Sequence, residues 1–466
     1  MNQTIKALQK QPRKRTVMVV MMLLGAFLTL LAETFLNNAL PTIMKELSVS
    51  QATAQWLSTG YLMVAGLMIP VSAWVFKRFD VKSTYLVMMT IFLVGTITGY
   101  LAPNFPVLLI GRLIQAVAAG SLIPLIQNVV LILYPVKQRG AAMGMTGIVV
   151  AFAPAIGPTL SGFLIDDFGW RALFLVLIPL TIIVMLLGMI FIEHVNDTTH
   201  DAMDFWSLFL SFTGFGALLY SFSLVGNTGS ITLEVVMFFI LGCALISVFG
   251  WRQLHVHQPL LELHVFKNRT FTLTSILSAI SNISMLGVEL VMPLYLQNVH
   301  GVSALTSGLT LLPGALVMAV LNPISGKLYD RYGIFKLSLY GYLILAIGTL
   351  PMFFFSTTTS LLLIAGLYAV RMVGIALVMM PTFTAGVNAL DQSLAIHGNA
   401  VSSTVRQIAG SLGTALLMML VALFSTASAG TSHLTALNQG YHAAFLVAFL
   451  MAVLGWVLTF KLKTKK

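Results

Sequence analysis

The chain has 466 residues, of which 58% are hydrophobic and only 8% charged, against roughly 25% charged in soluble domains. This excludes a soluble globule and makes lipid the solvent. The formal charge of +11 would suit nucleic acid if the cations shared a face, but they sit in short clusters between apolar runs, the pattern of membrane orientation.

In chain order, Met1 to Arg15 is polar and basic and reads as a cytoplasmic tail over residues 1–16. The apolar run behind it is too long for a signal-peptide core and lacks a small-residue cleavage site, so it is expected to remain as a first span. Runs of about twenty apolar residues can cross a hydrocarbon core ~30 Å thick. They predict helices over Val17–Pro41, Gln55–Phe76, Ser83–Leu101, Pro106–Leu133, Gly140–Ile165, Ala172–Ile192 and Phe205–Val225. Seven more follow over Leu233–Gly250, Phe271–Tyr295, Leu305–Leu328, Lys336–Phe355, Ser360–Pro381, Ala400–Phe424 and His442–Leu462. The expected fold is an all-α integral membrane protein of fourteen transmembrane helices. Its parts are a six-helix half (17–192), an inserted pair with its loops (193–270), a second six-helix half (271–462) and a short cytoplasmic tail (463–466).

Placing the N-terminus inside puts 20 of the 25 Lys and Arg in cytoplasmic segments, with only Lys45 and Arg171 outside and three arginines within spans. Positive residues favour the cytoplasmic side, so both termini are expected there. Trp74, Trp170, Trp251 and Trp456 read as interfacial anchors.

The halves repeat. Pro70-Val-Ser-Ala-Trp-Val-Phe-Lys-Arg-Phe-Asp80 aligns without gaps with Pro323-Ile-Ser-Gly-Lys-Leu-Tyr-Asp-Arg-Tyr-Gly333, 253 residues on. A weaker pairing, offset by 258, sets Gly140-Ala-Ala-Met-Gly-Met-Thr146 beside Gly398-Asn-Ala-Val-Ser-Ser-Thr404. Spans 2 and 5 thus map onto 10 and 13. Parallel halves of this kind characterise secondary transporters, whose substrate site lies near the midplane between them and opens to each side in turn.

Of 14 acidic residues, only Glu33 and Glu289 fall well inside predicted spans, away from their first turns, where an ionisable group is costly unless paired or wetted. Glu33 stands about 12 Å below the expected outer end of span 1. A buried carboxyl group holds its proton more tightly than one in water, and an arriving cation displaces it. Two readings follow for Glu33: a proton-coupling site, or an interior acid held neutral by a neighbouring helix without a transport role. Glu289, four residues before Pro293, is expected nearer the outer surface, either as an interfacial acid or as a drug-binding or second proton site.

Arg112 on span 4 cannot shed its charge and needs a partner, an acid, carbonyls or a polar cluster with Gln115. It is read as contributing to proton coupling or as a structural anchor. Arg371 and Arg406 carry similar readings, with Arg406 near enough to the inner end of span 13 to snorkel. Span 5 holds Gly147, Pro154, Gly157, Pro158 and Gly162, a density that in a bundle permits close contact and bending. His255 and His257 form a lone pair in a solvated loop, which does not make a metal site. Cys243, the only cysteine, excludes an intramolecular disulfide. No Gly-x4-Gly-Lys-Ser/Thr loop occurs to bind ATP. No cofactor is expected, and the energy source is read as an ion gradient.

These residues resemble the major facilitator superfamily, specifically the fourteen-spanning drug:proton antiporters and their lincomycin-resistance and multidrug exporter branch in Gram-positive bacteria. The resemblance rests on Glu33-Thr34 with Asn37-Asn-Ala-Leu-Pro41, on Gly111-Arg112 with Gln115, on Gly147 with Gly157-Pro158 and Gly162, and on Gly326-Lys-Leu-Tyr-Asp330-Arg331-Tyr-Gly333. It implies proton-driven export of amphiphilic drugs across a bacterial plasma membrane by a monomer whose partners are a small-molecule substrate and lipid. Glu33 and Arg112 would serve coupling. Glu33, Asn37, Gln115, Glu289, Arg371 and Arg406 would be open to substrate, and the span 5 motif with Asp330 and Arg331 would gate. Two positions depart from the pattern: Ala32 stands where relatives carry an Asp, with the acid one place later, and Lys77 replaces the acid in the loop after span 2. An exporter of an endogenous metabolite would share the architecture. An anionic solute would favour arginines facing the passage, a cationic drug Glu33 and Glu289. A membrane enzyme would need clustered His or acidic ligands at one face.

Overall fold

The computed structural model describes residues 3–49, 51–195, 203–228, 230–257, 259–392, 394–427 and 433–462. The side chains of some helical positions within these ranges, Asn37, Pro154 and Pro158 among them, lie outside the described residues. The described secondary structure is entirely helical: α1 (Gln3–Lys10), α2 (Pro12–Leu47), α3 (Gln51–Arg78), α4 (Val81–Tyr100), α5 (Phe105–Leu133), α6 (Val136–Phe168), α7 (Arg171–Phe191), α8 (Phe205–Thr228), α9 (Leu233–His255), α10 (Arg269–Asn298), α11 (Ala304–Tyr332), α12 (Ile334–Thr349), α13 (Leu361–Asn388), α14 (Ala395–Ala427) and α15 (His433–Thr459), with two short 3-10 turns. Helices α2 to α15 correspond in order to the fourteen expected spans.

Helices prevail because a chain in hydrocarbon must satisfy its backbone within each segment. Polar residues between the apolar runs cap them. Asp80, Asn104, Thr232 and Ser303 accept the backbone N–H groups of Ser83, Val107, Val235 and Thr306. α6 and α11 each stop at a left-handed glycine, Gly169 (φ 74°) and Gly333 (φ 77°), where a Cβ would be strained.

Thirteen helices among the described residues are long and apolar enough on their own to cross a membrane. The fourteenth, α6, spans about 50 Å with its 33 residues, some of whose side chains lie outside the described residues. It packs against α2, α11 and α13, so much of its surface faces protein and can be small and polar.

Two large hydrophobic cores form among the described residues, one chiefly from α1 to α7 and the other from α10 to α15, beside two smaller clusters. They meet along α6 with α11 and along α3 with α14. The sequence repeat carries α6 onto α14 and α3 onto α11, so each contact is the symmetry mate of the other. The inserted helices α8 and α9 pack on each other and reach the bundle through α3 and α14.

Several boundaries differ from expectation. The N-terminal tail contains α1, whose Ile5 and Leu8 are buried and whose Gln9 Nε2 donates to the Ile132 carbonyl at 3.0 Å. α2 runs through Pro41 to Leu47, so Glu33 lies fourteen residues, about 21 Å, from the end of its helix, which the sequence placed at Pro41. Trp170 is buried, not an interfacial anchor, because its indole N–H donates to Glu46 at 2.7 Å beneath the Arg171 side chain.

Candidate functional site

Helices α4 and α5 touch backbone to backbone: a Cβ on Gly111 would stand 2.8 Å from the Gly99 nitrogen and 2.9 Å from the Gly95 carbonyl oxygen. This closeness brings Gln115 within reach of α4, where its amide donates to Thr96 Oγ1 at 2.8 Å. Gln115 Oε1 in turn accepts from Arg112 Nη1 at 2.9 Å, and the same nitrogen donates to the Ala32 carbonyl at 3.1 Å. The guanidinium lies 4.1 Å over the Tyr61 ring, whose hydroxyl donates to the Thr29 carbonyl at 2.9 Å. A permanent cation in the core is thus stabilised, without a counter-charge in contact, by carbonyls, an amide and a ring, while Arg112 Nη2 keeps no hydrogen-bond partner among the described residues. Glu33, next to Ala32, is within electrostatic range of Arg112 without forming an ion pair with it.

The second half builds a related cluster. Arg371 on α13 is buried and its Nη2 donates to the Ser284 carbonyl and, at 3.0 Å, to Ser284 Oγ. Glu289, on α10, acts electrostatically on Arg371 and Tyr368, and Glu33 acts on Glu289 from the other half. Glu289 is half-buried with its Oε2 enclosed, and α10 continues past Pro293 to Asn298.

Hydrogen bonds between the halves gather at the end of the bundle that carries the basic loops. Asp330 accepts from the backbone N–H groups of Gly140 at 3.2 Å and Ala141 at 3.1 Å. Asn322 Nδ2 donates to the Gly147 carbonyl at 2.7 Å, and Asn399 Nδ2 to Asn128 Oδ1 at 2.5 Å. Lys77, the departure from the family pattern, places Nζ 2.6 Å from His397 Nε2 across the α3 and α14 contact.

Of the expected gating residues, Gly147 and Gly157 must be small: a Cβ would meet Asn322 at 2.8 Å and Thr34 Oγ1 at 2.0 Å. Gly162 faces open space. Pro154, Pro158 and the substrate candidate Asn37 have side chains outside the described residues. Arg331 is exposed beside Tyr332 and takes no part in the seam with Asp330. Arg139, expected in a basic loop, does take part: it is buried, with Nη2 donating to the Leu131 carbonyl at 2.7 Å and Nη1 to Asn388 of the other half at 3.1 Å. Arg406 does not snorkel. α14 starts five residues earlier than expected, which buries Arg406 about 17 Å along the helix and over the Phe383 ring.

His255 ends α9 and is exposed, its ring tilted against Trp251, and no group of three possible metal ligands exists among the described residues. Outside the spans, the hydrogen bond from Arg171 holds the Glu46 carboxyl below its ordinary value. Burial pushes Asp204 upward, but the combined bonds from Arg252 and Ser207 outweigh it and leave the carboxyl lowered.

Residues 22–414 match the model for the Major Facilitator Superfamily. The MFS-type transporter YcnB of Bacillus subtilis is 42% identical over 98% of this chain and 97% of its own length. Lincomycin resistance protein LmrB of Listeria innocua is 36% identical over 93% of each chain. The crystal structure of the human organic anion transporter MFSD10 superposes with a TM-score of 0.67 over 94% of this chain and 99% of that one, at 13% identity, a likeness of fold. A helical bundle of two repeated halves with buried Arg112 and Arg371 clusters, matched along nearly its whole length, makes this chain a member of the major facilitator superfamily of transporters, in the branch that includes the lincomycin-resistance proteins.

Proposed function

We propose that this transporter exports amphiphilic, cationic drugs in exchange for protons, by rocking its two halves about a site near the midplane. The supporting observation is Glu33 beside Arg112: an acid within a span and within the field of a cation whose own hydrogen bonds go to carbonyls and Gln115. Glu33 takes a proton from outside. An arriving cation releases it, and Arg112 steadies the resulting carboxylate until the site turns. The likeness to a lincomycin-resistance protein supports an antibiotic-sized cargo.

In this reading the protein sits in the plasma membrane as a monomer with both termini cytoplasmic. The basic end is then the cytoplasmic gate, closed here by Asp330, Asn322, Arg139 and Asn399, and the conformation faces outward. Export of an anionic metabolite is less well supported, because Arg112 turns its donors into its own half instead of presenting them to the passage.

Dye efflux from energised vesicles tests the reading. Wild type is expected to pump against a gradient only when a proton gradient is imposed, and Glu33→Gln to lose that dependence together with uphill export. Full proton-driven export by Glu33→Gln would refute it.

A further inference from the structure

The cluster in the second half is not a copy of the first. The position 253 residues beyond Tyr61 is Gly314, and a Cβ there would stand 2.5 Å from the ring of Tyr368. α3 lays a phenol under Arg112, whereas the phenol that acts on Arg371 is Tyr368 of its own helix α13, packed over a glycine that makes room. The position 259 residues beyond Gln115, the offset that carries Arg112 onto Arg371, is Gly374. Arg371 therefore lacks the amide partner that Arg112 has. Its Nε and Nη1 have no hydrogen-bond partner among the described residues, and neither has the buried Oε2 of Glu289.

Orphaned donors on a wholly buried cation, within the field of an orphaned acceptor on an acid, are the two sides of an ion pair that this conformation leaves open. Leaving buried charges unpaired is costly, so Glu289 without its partner is most stable as the neutral acid. Glu33 acts on it from the other half as a like charge and adds a second reason, since one carboxylate disfavours the ionisation of another nearby.

We infer that Glu289 is a second proton carrier, with Arg371 as its counter-ion, so that each cycle moves two protons. The inference rests on the proton-coupled reading above. Among the described residues the titratable or charged groups acting on Glu289 are Arg371 and Tyr368 from α13 and Glu33 from α2. A proton from the outer solution binds the Glu289 carboxylate. On its release to the cytoplasm, the carboxylate accepts the free N–H groups of Arg371, so no co-reactant is needed.

The test is an infrared titration of the full chain in lipid, reading the carbonyl band of buried neutral carboxyl groups as pH is raised. Wild type is expected to lose this band in two separate steps, as coupled acids do, and Glu33→Gln and Glu289→Gln to lose it in one step each. A Glu289→Gln variant that retains both wild-type steps overturns the inference. A Glu33→Gln variant that retains both, while Glu289→Gln retains one, sinks the Glu33 assignment alone. If Glu289→Gln does not fold, Glu289→Asp must still show two steps, one displaced from its wild-type pH; an unchanged titration overturns the inference. With the monovalent dye ethidium, two protons per cycle move one net charge. The steady-state dye ratio in wild-type proteoliposomes should then change tenfold for each ~59 mV of membrane potential, and a ratio indifferent to potential also overturns the inference.

Discussion

Gly140 and Gly326 bring backbones of opposite halves into direct contact, so that a Cβ on Gly326 would lie 2.1 Å from the Gly140 carbonyl oxygen. Gly326→Ala must push α6 and α11 apart at the basic end. Overpacking of this kind costs about 1–3 kcal/mol, which is expected to lower the melting temperature in detergent. It should also speed labelling of Ser403→Cys, buried between the halves, by a polar maleimide in a Cys243→Ser background. Unchanged labelling would show that this contact does not hold the end shut.

Asp330 accepts two backbone N–H groups from α6 with two different oxygens. Asp330→Asn keeps one acceptor and Asp330→Ala neither. Labelling at the same Ser403→Cys probe should therefore rise in the order wild type, Asn, Ala, with transport falling in parallel. Leaving buried donors unsatisfied costs about 1–3 kcal/mol each.

Arg112→Lys should behave as a loss and not as a conservative change. A lysine ammonium cannot reach the Ala32 carbonyl and Gln115 together while lying flat on the Tyr61 ring. Proton-driven dye efflux is expected to drop at least about tenfold, equivalent to ~1.4 kcal/mol, with the protein still present in the membrane. Near wild-type efflux would reduce Arg112 to an anchor.

Asp204 and Arg252 tie the inserted helices α8 and α9 through bonds of 3.0 and 3.1 Å. The folded carboxyl is held below its ordinary value. Its contribution is therefore complete above the unfolded value near ~3.9 and vanishes as pH falls through the lower folded one. Asp204→Asn should melt below wild type at neutral pH, and the gap should close toward strongly acidic pH. A gap independent of pH would mean that packing, not charge, is what the substitution removes.

Much of this molecule is legible one segment at a time. Each apolar run announces a helix because a buried backbone has no other way to satisfy itself. Glu33, Glu289, Arg112 and Arg371 stand out because charge is scarce in such runs. Caps such as Asn104 and Ser303 are local as well. Arg139 escaped notice because it follows Lys137 in what reads as a basic loop, and only the start of α6 at Val136 draws it inside. Trp170 likewise looks like an anchor until Glu46, 124 residues away, accepts its N–H.

The sequence by itself determined the class of protein, the order and number of its spans, the clustering of its positive charge and the repeat that relates its halves, since hydropathy and spacing are properties of a line. Only the tertiary structure decided which face of each helix meets which neighbour. Helices apolar all round carry no stripe to mark an inward side. The bond from Arg371 to Ser284, the bond from Asn399 to Asn128 and the contact of Gly140 with Gly326 join residues more than 80 apart, and only the packing of the bundle brings them together.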